Sequence, residues 1–269
     1  MKRLFFILAT LLTLTCCIGQ KDDPETDPGT VVDPEPEPEP GTQDDEGGDY
    51  LARTLALDFT GTWCVNCPKM HAAVSTACQE NPDRIVPVSV HCLPIDPMTL
   101  SPLSSDLAKR MGVSAYPSVV VDLEPSTLFT AASPELLIMQ CNKMMQMRGK
   151  AAGLKVSSTL EGGSSDIEVE MTTVREGSYT LHLLLLEDGI SAAQTGASAD
   201  YIHNDVLRAW LDAPDTYAAS GEKEVFSASF KLDGIRENMK LVAFACREGI
   251  VDNIVCCIPG NSLNYQYEQ

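Results

Sequence analysis

Residues 57–68 read Leu57-Asp58-Phe59-Thr60-Gly61-Thr62-Trp63-Cys64-Val65-Asn66-Cys67-Pro68. An apolar, strand-like run meets Trp-Cys-x-x-Cys and then breaks into a helix-compatible sequence. Two thiols at this spacing close a small disulfide ring and open it again. At a helix N-terminus the first thiol faces unpaired backbone N–H groups and the positive end of the helix dipole. Both favour the thiolate, which is the nucleophile.

Competing uses of the motif are weighed by their ligand needs. Zinc requires about four ligands, and Cys64-x2-Cys67-x3-His71 lacks a clean fourth. Covalent haem attachment needs histidine directly after the second cysteine, where Pro68 stands. Copper capture by Cys64, Cys67 and His71 with a methionine is conceivable, with Met70, Met98, Met144, Met145 and Met147 available, but helical methionines usually fill cores. A permanent structural disulfide between Cys64 and Cys67 is the serious alternative. No cofactor and no metal is expected. Asp58 has two readings: a buried carboxyl behind the cysteines, or an acid facing solvent between buried Leu57 and Phe59. Lys69 reads as a solvated helix residue.

Outward from the motif, strand-like and helix-like segments alternate. Strands are expected at 51–59, 84–91 and 118–123, and helices at 68–80, 104–111 and 134–148. Such alternation implies an α/β sheet covered by helices. The texture changes at 149–153. Short strands then follow at 154–159, 166–173, 179–187, 202–210, 224–232, 239–246 and 253–258, a pattern expected of an antiparallel sandwich. Cys246 and Cys256 flank a hairpin turn and are candidates for a cross-strand bridge. Pairing among Cys78, Cys92, Cys141, Cys246, Cys256 and Cys257 is otherwise open.

The chain begins with Lys2 and Arg3, followed by an apolar stretch too short to span a bilayer. Leu14-Thr15-Cys16-Cys17 resembles a bacterial lipoprotein signal, with Cys17 preferred over Cys16 as the lipidated residue. A lysine and two acids at 21–23 resemble the signal that takes some Gram-negative lipoproteins to the cell surface. Residues 18–50 hold twelve acids and one lysine and a Pro-Glu repeat, so they are expected to be an extended, disordered tether. The chain's formal net charge of −19, with no basic stripe, argues against a nucleic-acid partner.

Strand, Trp-Cys-x-x-Cys and helix, followed by Ala115-Tyr116-Pro117-Ser118 entering Val119-Val120-Val121, resemble the thioredoxin fold over residues 50–150. The resemblance implies a cis bond before Pro117 beside the sulfurs. It also implies a buried Asp58 that takes the proton of Cys67, and a groove shaped by Trp63 and Pro117. In that mechanism Cys64 attacks a substrate disulfide and Cys67 resolves the mixed disulfide.

In the second half, the leucine-rich 181–190 segment ends in Glu187-Asp188-Gly189, followed by Gln194 and then Tyr201-Ile202-His203-Asn204-Asp205-Val206-Leu207-Arg208. Together with Thr60-Gly61-x-x-Cys64-x-Asn66-Cys67-Pro68, this resembles the outer membrane protein 28 family. The resemblance implies an α/β thioredoxin-like domain (51–150) followed by an all-β, Ig-like sandwich (151–269). It also implies an outer-membrane lipoprotein with envelope thiols and disulfides as partners and a separate redox partner. His203, Asn204 and Arg208 read as a docking site, as a brace between the bodies, or as a hydrogen-bonded loop network. The alternative function is a surface binding or adhesion lipoprotein with Cys64–Cys67 as a staple.

Overall fold

In the computed structural model, residues 48–269 are described. The expected signal segment, the lipidation at Cys17 and nearly all of the tether lie outside them. Tyr50 does not belong with the tether. It is buried, forms a bridge with Tyr267 and stacks on its ring.

The element order is β1 (Thr54–Thr60), α1 (Cys67–Glu80), β2 (Ile85–His91), α2 (Leu103–Arg110), β3 (Ser118–Val121) and α3 (Pro134–Arg148). All-β structure follows: β4 (Gly153–Ser158), β5 (Ser165–Thr173), β6 (Glu176–Glu187), β7 (Ile190–Ala192), β8 (Tyr201–His203), β9 (Val206–Ser220), β10 (Glu224–Leu232), β11 (Met239–Arg247) and β12 (Ile250–Cys257). The helices start where the residue types allow it. Proline occupies the first turn of both α1 and α3, and the Ser133 side chain caps α3 by accepting from Leu136 N–H at 3.1 Å.

The two halves are not separate bodies; all the described residues fall in one unit. One mixed sheet runs β12-β11-β6-β9-β2-β1-β3, and β2 of the first half meets β9 of the second in parallel at Ser89 and Val206. A three-stranded antiparallel sheet, β10-β5-β4, and a two-stranded ribbon, β7-β8, complete the fold. The large sheet is buried on both faces. On one face Leu55, Leu57 and Phe59 of β1 share a core with Leu184 and Leu186 of β6, Val242 and Phe244 of β11, and Leu107 of α2. On the other, Ala56 packs with α1 and α3 through Met70, Val74, Leu137 and Met144. Further along that face, Leu181, Leu183 and Leu185 meet Val156, Val169 and Phe230 of the three-stranded sheet. Each fully buried leucine contributes about 1.5–3 kcal/mol, and the first of these cores draws on both halves. The two would therefore lose much of their stability if parted.

Buried polar groups form a second joint. Arg148 of α3 pairs with Asp122 and donates to Arg53 O at 2.7 Å, while Asp122 Oδ1 accepts from Leu55 N–H at 2.7 Å. Arg175 bridges the carbonyl of Arg148 to Asp252. The Asn253 side chain donates to Ala152 O at 2.7 Å and to Leu51 O at 3.1 Å.

Cys246 and Cys256 do not face each other. A register shift at Ala245/Cys246 sets Cys246 opposite Val251, and Cys256 lies opposite Val242. Cys246 is buried and Cys256 exposed, and the six described cysteines outside the Cys64–Cys67 pair are free. Burial pushes the thiols of Cys78 and Cys141 up to about 12 and that of Cys92 to about 11, so these behave as apolar packing groups.

Candidate functional site

β1 is the deepest strand of the first half, held parallel to β2 and antiparallel to β3. Its C-terminal end releases the chain into the turn that carries the cysteines. Cys64 N–H donates to Gly61 O at 3.0 Å, Cys67 N–H reaches back to Cys64 O at 3.4 Å, and α1 begins at Cys67. Cys64 and Cys67 form a disulfide with Cα atoms 5.4 Å apart. Both are buried, Cys64 with 5% of its surface exposed, while Val65 between them is 58% exposed. Trp63 is half-buried. Its indole N–H donates to Cys92 O at 3.0 Å, and its ring meets Tyr116 edge-on at 5.3 Å. The Tyr116–Pro117 bond is cis, and Pro117 is buried at the entrance of β3, whose Ser118 pairs with Phe59. A second cis bond lies at Ser101–Pro102.

Asp58 takes the first of its two readings. It lies in register with Ser89 of β2 and Val119 of β3, and its side chain shares the face of α1 rather than facing solvent. Only 3% of its surface is exposed, and Oδ1 has no hydrogen-bond partner. Burial raises its pKa from 3.8 to about 7. It lines a cavity of about 10 Å³ together with Cys67, His71, His91, Gln194, Tyr201 and His203.

Three of the chain's four histidines therefore converge behind the disulfide. The Tyr201 hydroxyl and His71 Nδ1 share a hydrogen bond of 2.7 Å. His91 Nδ1–H donates to Asp96 Oδ2 at 2.8 Å, and the rings of His91 and His203 lie edge-on at 5.3 Å. His203 Nε2 is buried without a partner. Burial lowers the His203 pKa to about 4, with the nearby His91 adding to the effect, so this ring is neutral at ordinary pH. His71 is also lowered by burial, against the pull of Asp205. The cavity thus holds, beside Cys67, a carboxyl that burial brings near neutrality and a ring that burial keeps neutral. Such a carboxyl can take up and hand on one proton.

Asp96 ties the loop after β2 to the cysteine turn. Oδ2 accepts from Thr62 N–H at 2.7 Å and Oδ1 from Met98 N–H at 2.9 Å. Its burial works against ionisation, but the His91 contact and these two N–H groups outweigh that and hold its pKa low. Sequence spacing offers Asp96 no role, since its partner Thr62 lies 34 residues away in the chain.

The Tyr201–Arg208 motif divides its work. Tyr201 and His203 enter the cavity. Asn204 accepts from Gly189 N–H at 2.9 Å through Oδ1 and from the Ser89 hydroxyl at 3.0 Å through its carbonyl. Asp205 pairs with Lys240 at 2.6 Å, and Arg208 with Glu187 at 3.2 Å. Asn204 and Asp205 therefore brace β2 against β9, while Arg208 is held within the β half. No described group of three or more His, Cys, Asp or Glu is disposed to hold a metal ion.

Comparison with known proteins places this geometry on a recognised fold. The structure is similar to HBP35 of Porphyromonas gingivalis, with a TM-score of 0.62 at 18% identity, covering 82% of this chain and 80% of that one. It is also similar to protein AGR_C_4864 from Agrobacterium tumefaciens, with a TM-score of 0.55 at 12% identity, covering 81% of this chain and 98% of that one. No family model and no curated protein matches the chain. At these identities the likeness shows the fold alone.

Proposed function

We propose that this chain is a thioredoxin-like thiol–disulfide oxidoreductase of the outer membrane protein 28 kind. It is held to the outer membrane through Cys17, with extracytoplasmic proteins as substrates. The observation that carries the proposal is Asp58: a buried carboxyl with an unpaired oxygen and a pKa of about 7, on the same cavity as Cys67. The helix beginning at Cys67, the Trp63–Tyr116 wall and Pro117 at the entrance of β3 support it. So do the exposed apolar side chains of Val65, Leu93 and Ile95, on two loops joined by Asp96, which suit an extended protein segment.

In the reductive direction, the Cys64 thiolate attacks one sulfur of a substrate disulfide. A mixed disulfide forms and the other substrate sulfur leaves as a thiolate. Cys67 gives its proton to Asp58 and attacks the Cys64 sulfur. The Cys64–Cys67 disulfide re-forms and the second substrate thiolate departs, so two electrons have passed to the substrate. A separate partner of the opposite poise must recycle the pair.

The test is turnover of a disulfide-bonded reporter protein by wild type, Cys64→Ser and Asp58→Asn, with the reduction potential measured in parallel. Turnover lost in Cys64→Ser supports the reading. A potential below about −300 mV with no turnover would overturn it. That result would favour a surface-binding lipoprotein with a permanent staple, a reading that rests on the burial of Cys64.

A further inference from the structure

The loop between β7 and β8 lies against the cysteine turn although it comes from the other half of the chain. Gln194 is buried there while its neighbours Thr195 and Gly196 are exposed. Its side-chain amide N–H groups donate to Cys64 O at 2.9 Å and to Gly61 O at 3.2 Å. These are the two carbonyls that the turn itself uses for Cys67 N–H and Cys64 N–H. Next along the loop, Thr195 N–H donates to Thr62 O at 2.8 Å. Gly196 then passes so close to Val65 that a Cβ placed on it would sit 2.4 Å from Val65 O. Three consecutive residues thus grip the backbone on both sides of Cys64.

We propose that Gln194 is a positioning residue for the Cys64–Cys67 pair. Its carboxamide braces the carbonyls of Gly61 and Cys64, and Thr195 and Gly196 seat it, so the β half sets the redox equilibrium of a disulfide carried by the α/β half. The proposal rests on the thiol-exchange reading for its biological use, but not for its measurement. A brace that only stabilises the fold acts equally on the disulfide and dithiol states and leaves their equilibrium constant unmoved. A brace that fits the closed turn better than the open one shifts it.

The experiment equilibrates the full chain in glutathione redox buffers, where two glutathione thiols become one disulfide as Cys64–Cys67 becomes a dithiol. Gln194→Met keeps the length and removes the donors; Gln194→Glu keeps the shape and replaces the amide with an acceptor. Both are expected to move the equilibrium threefold to tenfold toward the dithiol, about 15–30 mV. Gly196→Ala, on the exposed part of the loop, is expected to move it the same way by lifting the strap off Val65. Should a Gln194 variant fail to fold, Gly196→Ala and Thr195→Pro carry the test. Folded variants whose constants stay within twofold of wild type would overturn the proposal. A wild type that equilibrates but never turns over a protein disulfide would refute the catalytic reading and leave the positioning role standing.

Discussion

Replacing Asp58 with asparagine should change how stability depends on pH, and the size of the change follows from the structure. Burial lifts the carboxyl from 3.8 to about 7. The folded protein therefore holds this proton more tightly than the unfolded chain does. The contribution to stability is full below about pH 4 and is lost as the pH rises toward 7. Each tenfold in acidity is worth about 1.4 kcal/mol, so the loss approaches about 4 kcal/mol by pH 8. An asparagine side chain in its place never ionises and escapes that loss.

The wild-type profile alone would hide the effect. His203 is lowered from 6.5 to about 4, so its contribution rises with pH across nearly the same interval. The difference between wild type and Asp58→Asn cancels that term. Urea melts of both oxidised proteins at half-unit steps from pH 4 to 8 are the assay. Asp58→Asn should gain at least about 2 kcal/mol on wild type between the ends of the range, with a slope of up to about 1.4 kcal/mol per pH unit. Parallel profiles would mean that Asp58 ionises near its ordinary value, and the proton-acceptor role would go with it.

Cys67→Ala should trap a mixed disulfide through Cys64 with protein substrates, whereas Cys64→Ser should trap none; non-reducing mass spectrometry distinguishes them. Arg148→Met leaves the Asp122 carboxyl buried and unpaired, and should cost about 3–5 kcal/mol at pH 8 in a guanidinium melt. Asp122 already sits near 6 because burial outweighs its pairing with Arg148, so the loss should shrink at pH 5 as it takes a proton. Leu184→Ala, in the core shared by both halves, should cost about 2–5 kcal/mol and preserve a single unfolding transition. Residues 51–150 expressed alone should show no cooperative melt, since β1 and β2 would lose the face packed on β6 and β11.

Much of the local structure is legible in the sequence. The three helices start within a residue of their expected positions, because Pro68 and Pro134 mark first turns and the apolar spacing does the rest. The separation into two bodies fails for a reason also present in the sequence. Leu183 to Leu186 are four consecutive buried leucines, and Val242 to Cys246 continue the pattern in β11. A sandwich strand with one wet face alternates; a strand buried on both faces reads as a continuous apolar run. The run signals a central strand, and β6 does lie in the interior of the large sheet. Asp58 is ambiguous in sequence for the same reason, since alternation assigns a face without saying what covers it. His91, Asp96, Gln194 and Tyr201 are less accessible still. Their partners lie up to 133 residues away, and no local pattern encodes that distance. Gln194 and Tyr201 stand in the segment that carries the family resemblance, but nothing in it says that they reach the cysteine turn and its cavity.

The merged architecture bears on the choice between enzyme and staple. A permanent disulfide needs two sulfurs and a fold that holds them. It gains nothing from a buried carboxyl placed behind it, where burial opposes ionisation and Oδ1 has no hydrogen-bond partner. Asparagine, serine or valine at position 58 would close the same strand at lower cost. A resolving thiol has the opposite requirement, because its proton must leave before it can attack, and a base near neutrality that is shielded from water suits that step. His203 on the same cavity, brought there by β8, stays neutral because burial opposes its protonation, which leaves Asp58 as the acceptor. The second half thus lines the cavity with Gln194, Tyr201 and His203. On the proposed oxidoreductase reading, a substrate held by the β half would lie on the same compact unit as Cys64.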